Sequence, residues 1–148
     1  MSDATSECFE KIRQEHRELE REVGQLRNLL ATPPQAIERP ALFDVVDRLC
    51  TTLGHHFRYE EQGGYLAQVV SRFPNWSAEV EHLRQQHGEL RHEIGEARRL
   101  LEGGTDWAHQ AAEIHRRLNE WVAKLASHQD RENRLYQEAF NLDVGQGE

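Results

Sequence analysis

Cysteine is nearly missing from this chain. Cys8 and Cys50 stand far apart, too few and too isolated for a disulfide framework or a thiolate zinc site. Cys50 is expected as a small buried filler. Positive charge is also scarce: 26 acidic side chains face 18 basic ones, a formal charge of -8. With no local basic patch to override it, that balance argues against a nucleic acid or an anionic membrane surface as partner. No apolar run approaches the ~18 residues of a membrane span, and the opening MSDATSECFEKIRQEH has no apolar stretch of signal-peptide length. A soluble, cytoplasmic protein is expected. Strand signals are absent as well. β-Branched and aromatic residues never alternate with polar ones for long, while Glu, Arg, Leu and Ala dominate, so the expected class is all-α.

What is present is helix, divided by breakers. The 148 residues suffice for one domain with a real core and are short for two, so residues 1–148 are read as a single domain. ATPPQAIERP at 31–40, RFPNWS at 72–77 and EGGTD at 102–106 predict helices near 6–31, 41–70, 77–102 and 107–141. Ser77 is a candidate N-cap, as is Thr105 or Asp106 for the last helix. Gly63-Gly64 is placed to kink or end the second.

Laid on itself, the chain repeats. EHRELEREVGQLRNLL (15–30) matches QHGELRHEIGEARRLL (86–101) at 8 of 16 positions, with His16 falling on His87. The second and fourth helices align at an offset of 72 instead of 71: Leu42 on Ile114, Val46 on Leu118, Leu49 on Trp121, Leu53 on Leu125, His56 on His128 and Glu60 on Glu132. One helix pair used twice predicts an antiparallel up-down four-helix bundle with an internal two-fold repeat.

The histidines then separate. Five of the nine have Glu four residues on: His16, His56, His92, His109 and His128. The repeat keeps only His56–Glu60 and His128–Glu132, because Arg91 stands opposite Glu20, Arg21 opposite His92, and His109 precedes the apolar stripe. The seams agree. Phe9, Ile12, His16, Leu19, Val23 and Leu26 form one stripe, and Val80, Leu83, His87, Leu90, Ile94 and Ala97 another, each with one histidine at an apolar position. Spacing of four puts His56 and Glu60 about 40° apart around their helix and about 6 Å apart along it, so both converge on one point. Two buried carboxylates without a counter-charge cost several kcal/mol each. A metal resolves the conflict, since neutral imidazole and ionised carboxylate are the forms it selects. The donor set is nitrogen and oxygen only, which suits iron or manganese and also admits zinc.

One His on the first helix, H-x-x-x-E on the second, one His on the third and H-x-x-x-E on the fourth, with successive histidines 40, 31 and 41 positions apart, resembles the hemerythrin-like HHE cation-binding domains over nearly the whole chain. The resemblance implies two non-heme iron ions per chain, carried by His16, His56, His87 and His128 as terminal ligands and bridged by Glu60, Glu132 and an oxo or hydroxo group. It also implies a small oxidant as ligand: dioxygen, hydrogen peroxide or nitric oxide. Oxygen-carrying members have a further histidine one turn after the third-helix histidine. Here that place is Arg91, a cation with no lone pair to donate, so reaction with an oxidant is expected rather than oxygen carriage. The alternative is a non-enzymatic module that senses oxygen or iron or handles iron, including iron-centre repair.

The remaining signals have plainer readings. Trp76, Trp107 and Trp121 are expected to pack, and His55, His82 and His115 to be solvated. Glu61 is expected at the surface, within possible reach of a ligand. Tyr136 follows Glu132 by one turn, where the repeat counterpart is Gly64, and is a candidate for contact with one side of the centre.

Overall fold

The computed structural model describes residues 3–62, 65–103 and 106–147; side-chain placement is described for residues 10–62, 66–103 and 106–139. Among the described residues five α-helical segments follow one another, with 3-10 turns at Pro34–Ala36 and Pro74–Trp76. They are α1 (Asp3–Leu30), α2 (Arg39–Gln62), α3 (Tyr65–Arg72), α4 (Ser77–Glu102) and α5 (Trp107–Gly147). No strand occurs among the described residues. No described helix is long and apolar enough to cross a membrane.

The four long helices form a closed ring of neighbours: α1 packs on α2, α2 on α4, α4 on α5, and α5 back on α1. Short connections make sequential neighbours antiparallel. Over the predicted second helix the described residues are helical as α2 to Gln62 and as α3 from Tyr65. Gly63 and Gly64 themselves lie outside the described residues.

Local signals at the helix ends behave differently from expectation. Ser77 is the first residue of α4 and does not cap it; its hydroxyl donates to the Pro74 carbonyl at 2.6 Å. Asp106 does cap α5, through its carbonyl, which accepts from the amides of His109 and Gln110. Thr105 lies outside the described residues. Arg39 staples two helix ends, donating to the carbonyls of Leu101 at 2.7 Å and Glu102 at 3.1 Å and so satisfying two of the orphan acceptors at the end of α4. His115, expected in solvent, is partly buried. Its Nε2 donates to the Leu30 carbonyl at 2.8 Å, while its Nδ1 accepts from Asn119. A histidine thus caps the end of α1 from α5, a partner 85 residues away that helical period alone cannot reveal.

The interior has three layers. The larger apolar layer gathers Leu19, Val23, Leu26, Leu42, Val46, Leu49, Leu53, Leu90, Ile94, Ile114, Leu118, Trp121 and Leu125, among others. A smaller one contains Ile12, Leu66, Val69, Val80, Leu83, Leu135, Tyr136 and Ala139. Along each long helix the step from one apolar layer to the other crosses a polar position: His16 between Ile12 and Leu19, His56 and Glu60 after Leu53, His87 between Leu83 and Leu90, His128 and Glu132 between Leu125 and Leu135. Trp107 packs on the larger layer and Trp76 on the smaller. Cys50 is only partly buried at the edge of the larger layer. It falls one position beyond Leu49, about 100° off the seam, so it covers the core instead of filling it.

Candidate metal centre

The polar layer brings all six predicted residues together. One donor atom from each of His16, His56, Glu60 and Glu132 lies within 4.8 Å of the others, and the same holds for His87, His128 and Glu132. Glu132 belongs to both groups. His56, His87 and His128 are each 1% exposed and both glutamates 0%, which removes water as their partner. His16 is partly buried. The short approaches all involve imidazole Nε2: His56 lies 3.2 Å and His87 3.6 Å from Glu60 Oε1, while His128 lies 2.6 Å from Glu132 Oε1 and His87 3.8 Å from Glu132 Oε2.

Proximity is not pairing. The Nε2 atoms of His16, His56, His87 and His128, and Oε1 of both Glu60 and Glu132, are buried without a hydrogen-bond partner. Even the 2.6 Å approach of His128 Nε2 to Glu132 Oε1 lacks the alignment of a hydrogen bond. Buried polar atoms are almost always paired, because an unmatched one costs about 1–3 kcal/mol and a charged one more. Six inward-facing donors orphaned around one point are the signature of lone pairs arranged for a cation. The donor chemistry therefore fits a bound metal.

The outer nitrogens are held in place. His56 Nδ1 donates to Glu15 Oε2 at 2.8 Å and His128 Nδ1 donates to Gln86 Oε1 at 2.8 Å. Each bond fixes the tautomer that leaves Nε2 unprotonated and aimed inward. Glu15 and Gln86 stand one residue before His16 and His87, so each comes from the helix that also supplies a seam histidine. Ring packing follows the same correspondence. His16 and His56 meet edge to face at 4.6 Å between centroids, His87 and His128 at 4.8 Å. Two residues break it. Phe57, which belongs to the larger apolar layer, stacks on His87 at 3.8 Å and 9° and presents an edge to His128. Tyr136 places its hydroxyl against Glu60 Oε2 and 2.9 Å from Glu132 Oε2.

Burial and mutual repulsion act on the two carboxyls together. Burial, followed by the charge of Glu132, pushes the Glu60 carboxyl well above the usual range. Burial also works against an ionised Glu132, but the proton on Glu60 and the adjacent imidazoles of His128 and His87 outweigh it and hold that carboxyl well below. The pair thus shares a proton, as like charges this close must. Burial, then the two carboxylates, raises the Tyr136 phenol well above its ordinary value, so it stays a donor. Burial, then neighbouring His56, lowers His16 to about 4, keeping it neutral and able to donate a lone pair. A cation in place of the shared proton would match the orphaned atoms together.

Over residues 9–140 the chain matches the hemerythrin HHE cation-binding domain. The chain belongs to the hemerythrin HHE cation-binding family. No curated protein and no solved structure matches it. HHE domains bind metal cations, and among the described residues the two groups around Glu132 could hold one.

The histidines set aside by the repeat stay outside. His92 and His55 are exposed, His109 pairs with Asp106 at the start of α5, and His82 meets Arg131 at the surface. Arg91 is exposed. Glu61 is partly exposed, with Oε1 3.8 Å from His87 Nδ1. Glu15, Gln86 and Phe57 were not anticipated. The signal for the first two was available, since they occupy matching positions at the head of the repeated segment. Phe57 follows His56 directly and carries no such mark.

Proposed function

We propose that this HHE protein binds two non-heme iron ions per chain and uses them to bind or react with a small oxidant: dioxygen, hydrogen peroxide or nitric oxide. The observation that supports this most is the set of six buried donor atoms without partners, divided into two groups that share Glu132. In this reading His16 and His56 would hold one ion and His87 and His128 the other, with Glu60 and Glu132 serving both. Bound iron would supply electrons and open coordination positions to the oxidant. The chain supplies the rest. Glu15 and Gln86 hold His56 and His128 in the lone-pair-inward tautomer. Phe57 covers His87 on one side and keeps water from its ring. Tyr136 holds a proton at its hydroxyl between the two carboxylates.

Reaction is preferred to oxygen carriage because the place one turn after His87 is Arg91, exposed and without a lone pair. Fewer protein donors leave more positions for an exogenous ligand. Metal analysis of protein purified without added metal should find about two irons per chain. Azide should add a charge-transfer band, and hydrogen peroxide should be consumed faster than by His56→Ala. Absence of stoichiometric metal would overturn the reading. A stable oxygenated spectrum with no peroxide consumption would return it to carriage.

A further inference from the structure

The two halves of the centre correspond in position but not in chemistry. Each half has two histidines, His16 and His56 on one side and His87 and His128 on the other, and the carboxylates face both: Glu60 Oε1 lies 3.2 Å from His56 Nε2 and 3.6 Å from His87 Nε2, and Glu132 is common to both groups. The difference lies in the residues behind the histidines. Glu15 accepts from His56 Nδ1 and Gln86 accepts from His128 Nδ1, both at 2.8 Å. The lengths are equal and the charges are not. A carboxylate on the far nitrogen makes an imidazole a stronger donor at the near one, whereas an amide orients the ring and adds no charge. The Glu15 side chain is 23% exposed, so water screens it only in part. Glu61 is the counterweight on the other side. Its Oε1 lies 3.8 Å from His87 Nδ1, with the side chain 30% exposed, beyond hydrogen-bond reach.

We infer that the two metal positions are unequal, the Glu15-backed position holding its ion more tightly and the Gln86-backed position holding the exchangeable one. Glu15 and Gln86 are positioning residues that set this order through His56 and His128. The inference builds on the metal-binding reading above. Its consequence is ordered loading: at limiting metal the chain carries one ion, and the complete centre forms only when the second, looser position fills.

The test is chelator competition on the full-length, iron(II)-loaded protein under anaerobic conditions, with metal retained per chain as the readout. Two steps are expected. Repulsion between ions would also produce two steps, so half-site variants separate the causes. His128→Ala should keep one ion at the tighter affinity, and His56→Ala should hold its remaining ion about tenfold or more weaker. Glu15→Gln, which preserves the hydrogen bond and removes the charge, should weaken the tighter step by about tenfold to a hundredfold and leave the looser one in place. Gln86→Glu should tighten the looser step by about tenfold. Glu61→Gln should change neither by more than about threefold. Equal affinity in the two half-site variants, or equal weakening of both steps by Glu15→Gln, would overturn the inference while leaving a two-metal centre intact. A wild-type protein that retains no metal would instead overturn the metal reading itself, and this inference with it.

Discussion

Two buried layers of this bundle face the same solvent exclusion and answer it in opposite ways. In the larger apolar layer the polar atom of the largest side chain is matched: Trp121, 2% exposed, donates its indole N–H to the Leu90 carbonyl at 2.9 Å. One helical turn away, in the layer of His56, Glu60, His87, His128 and Glu132, the side chains are just as buried and their inward atoms have no partner. An isolated unmatched atom also occurs at the edge of the larger apolar layer, at Trp107 Nε1; what distinguishes the polar layer is that six such atoms gather in it. The apolar layer contributes stability through the area it removes from water. The polar layer withholds stability until something binds.

That contrast breaks most sharply at Glu132, the carboxylate shared by both groups. Glu132→Ala should lose nearly all bound metal, and His56→Ala or Glu60→Ala should lose at least half, while His92→Ala and His109→Ala retain the wild-type content by elemental analysis. Equal losses in all five would dissolve the distinction between layers. The reverse experiment acts on the apolar layer. Leu49→Ala should cost about 2–5 kcal/mol by chemical denaturation, yet leave metal per folded chain unchanged.

Removing the metal sharpens the comparison. With metal at about a thousand times its dissociation constant the ion stabilises by about 4 kcal/mol, so the metal-free protein should melt roughly 10 °C lower. The polar layer then becomes acid-sensitive. His16 titrates at about 4 in the folded state against 6.5 unfolded, so as pH falls below 6.5 the unfolded chain takes up the proton first. Stability present above pH 6.5 should be lost progressively down to about pH 4, by on the order of 3 kcal/mol. Denaturation at stepped pH checks this, and His16→Leu should flatten the slope.

The smallest expected effect tests a polar atom that is matched. His115→Ala removes the hydrogen bond to the Leu30 carbonyl at the end of α1 and should cost about 1 kcal/mol without altering metal content. A cost above that of Leu49→Ala would show that the helix end, not the apolar layer, anchors α1.

Helical period is local, and it carried most of this molecule. Stripes of Leu, Ile and Val at steps of three and four define four long helices and their inward faces, and Pro- and Gly-rich segments mark the turns. Because a histidine or glutamate on such a stripe must be buried, the six side chains of the polar layer were determined by the sequence itself. What period specifies is a face, never the neighbour that face meets. How far one helix slides along another decides that, and it is set by the packing of side chains from all four. Only the tertiary structure therefore decided that Glu132 serves both groups, that Glu15 and Gln86 reach the outer nitrogens of His56 and His128, that Phe57 lies on His87, and that Tyr136 closes the carboxylate pair. His115 came to rest on Leu30 and Cys50 at the rim of the core for the same reason: burial and hydrogen bonding across helices depend on their relative offset, which no single helix encodes.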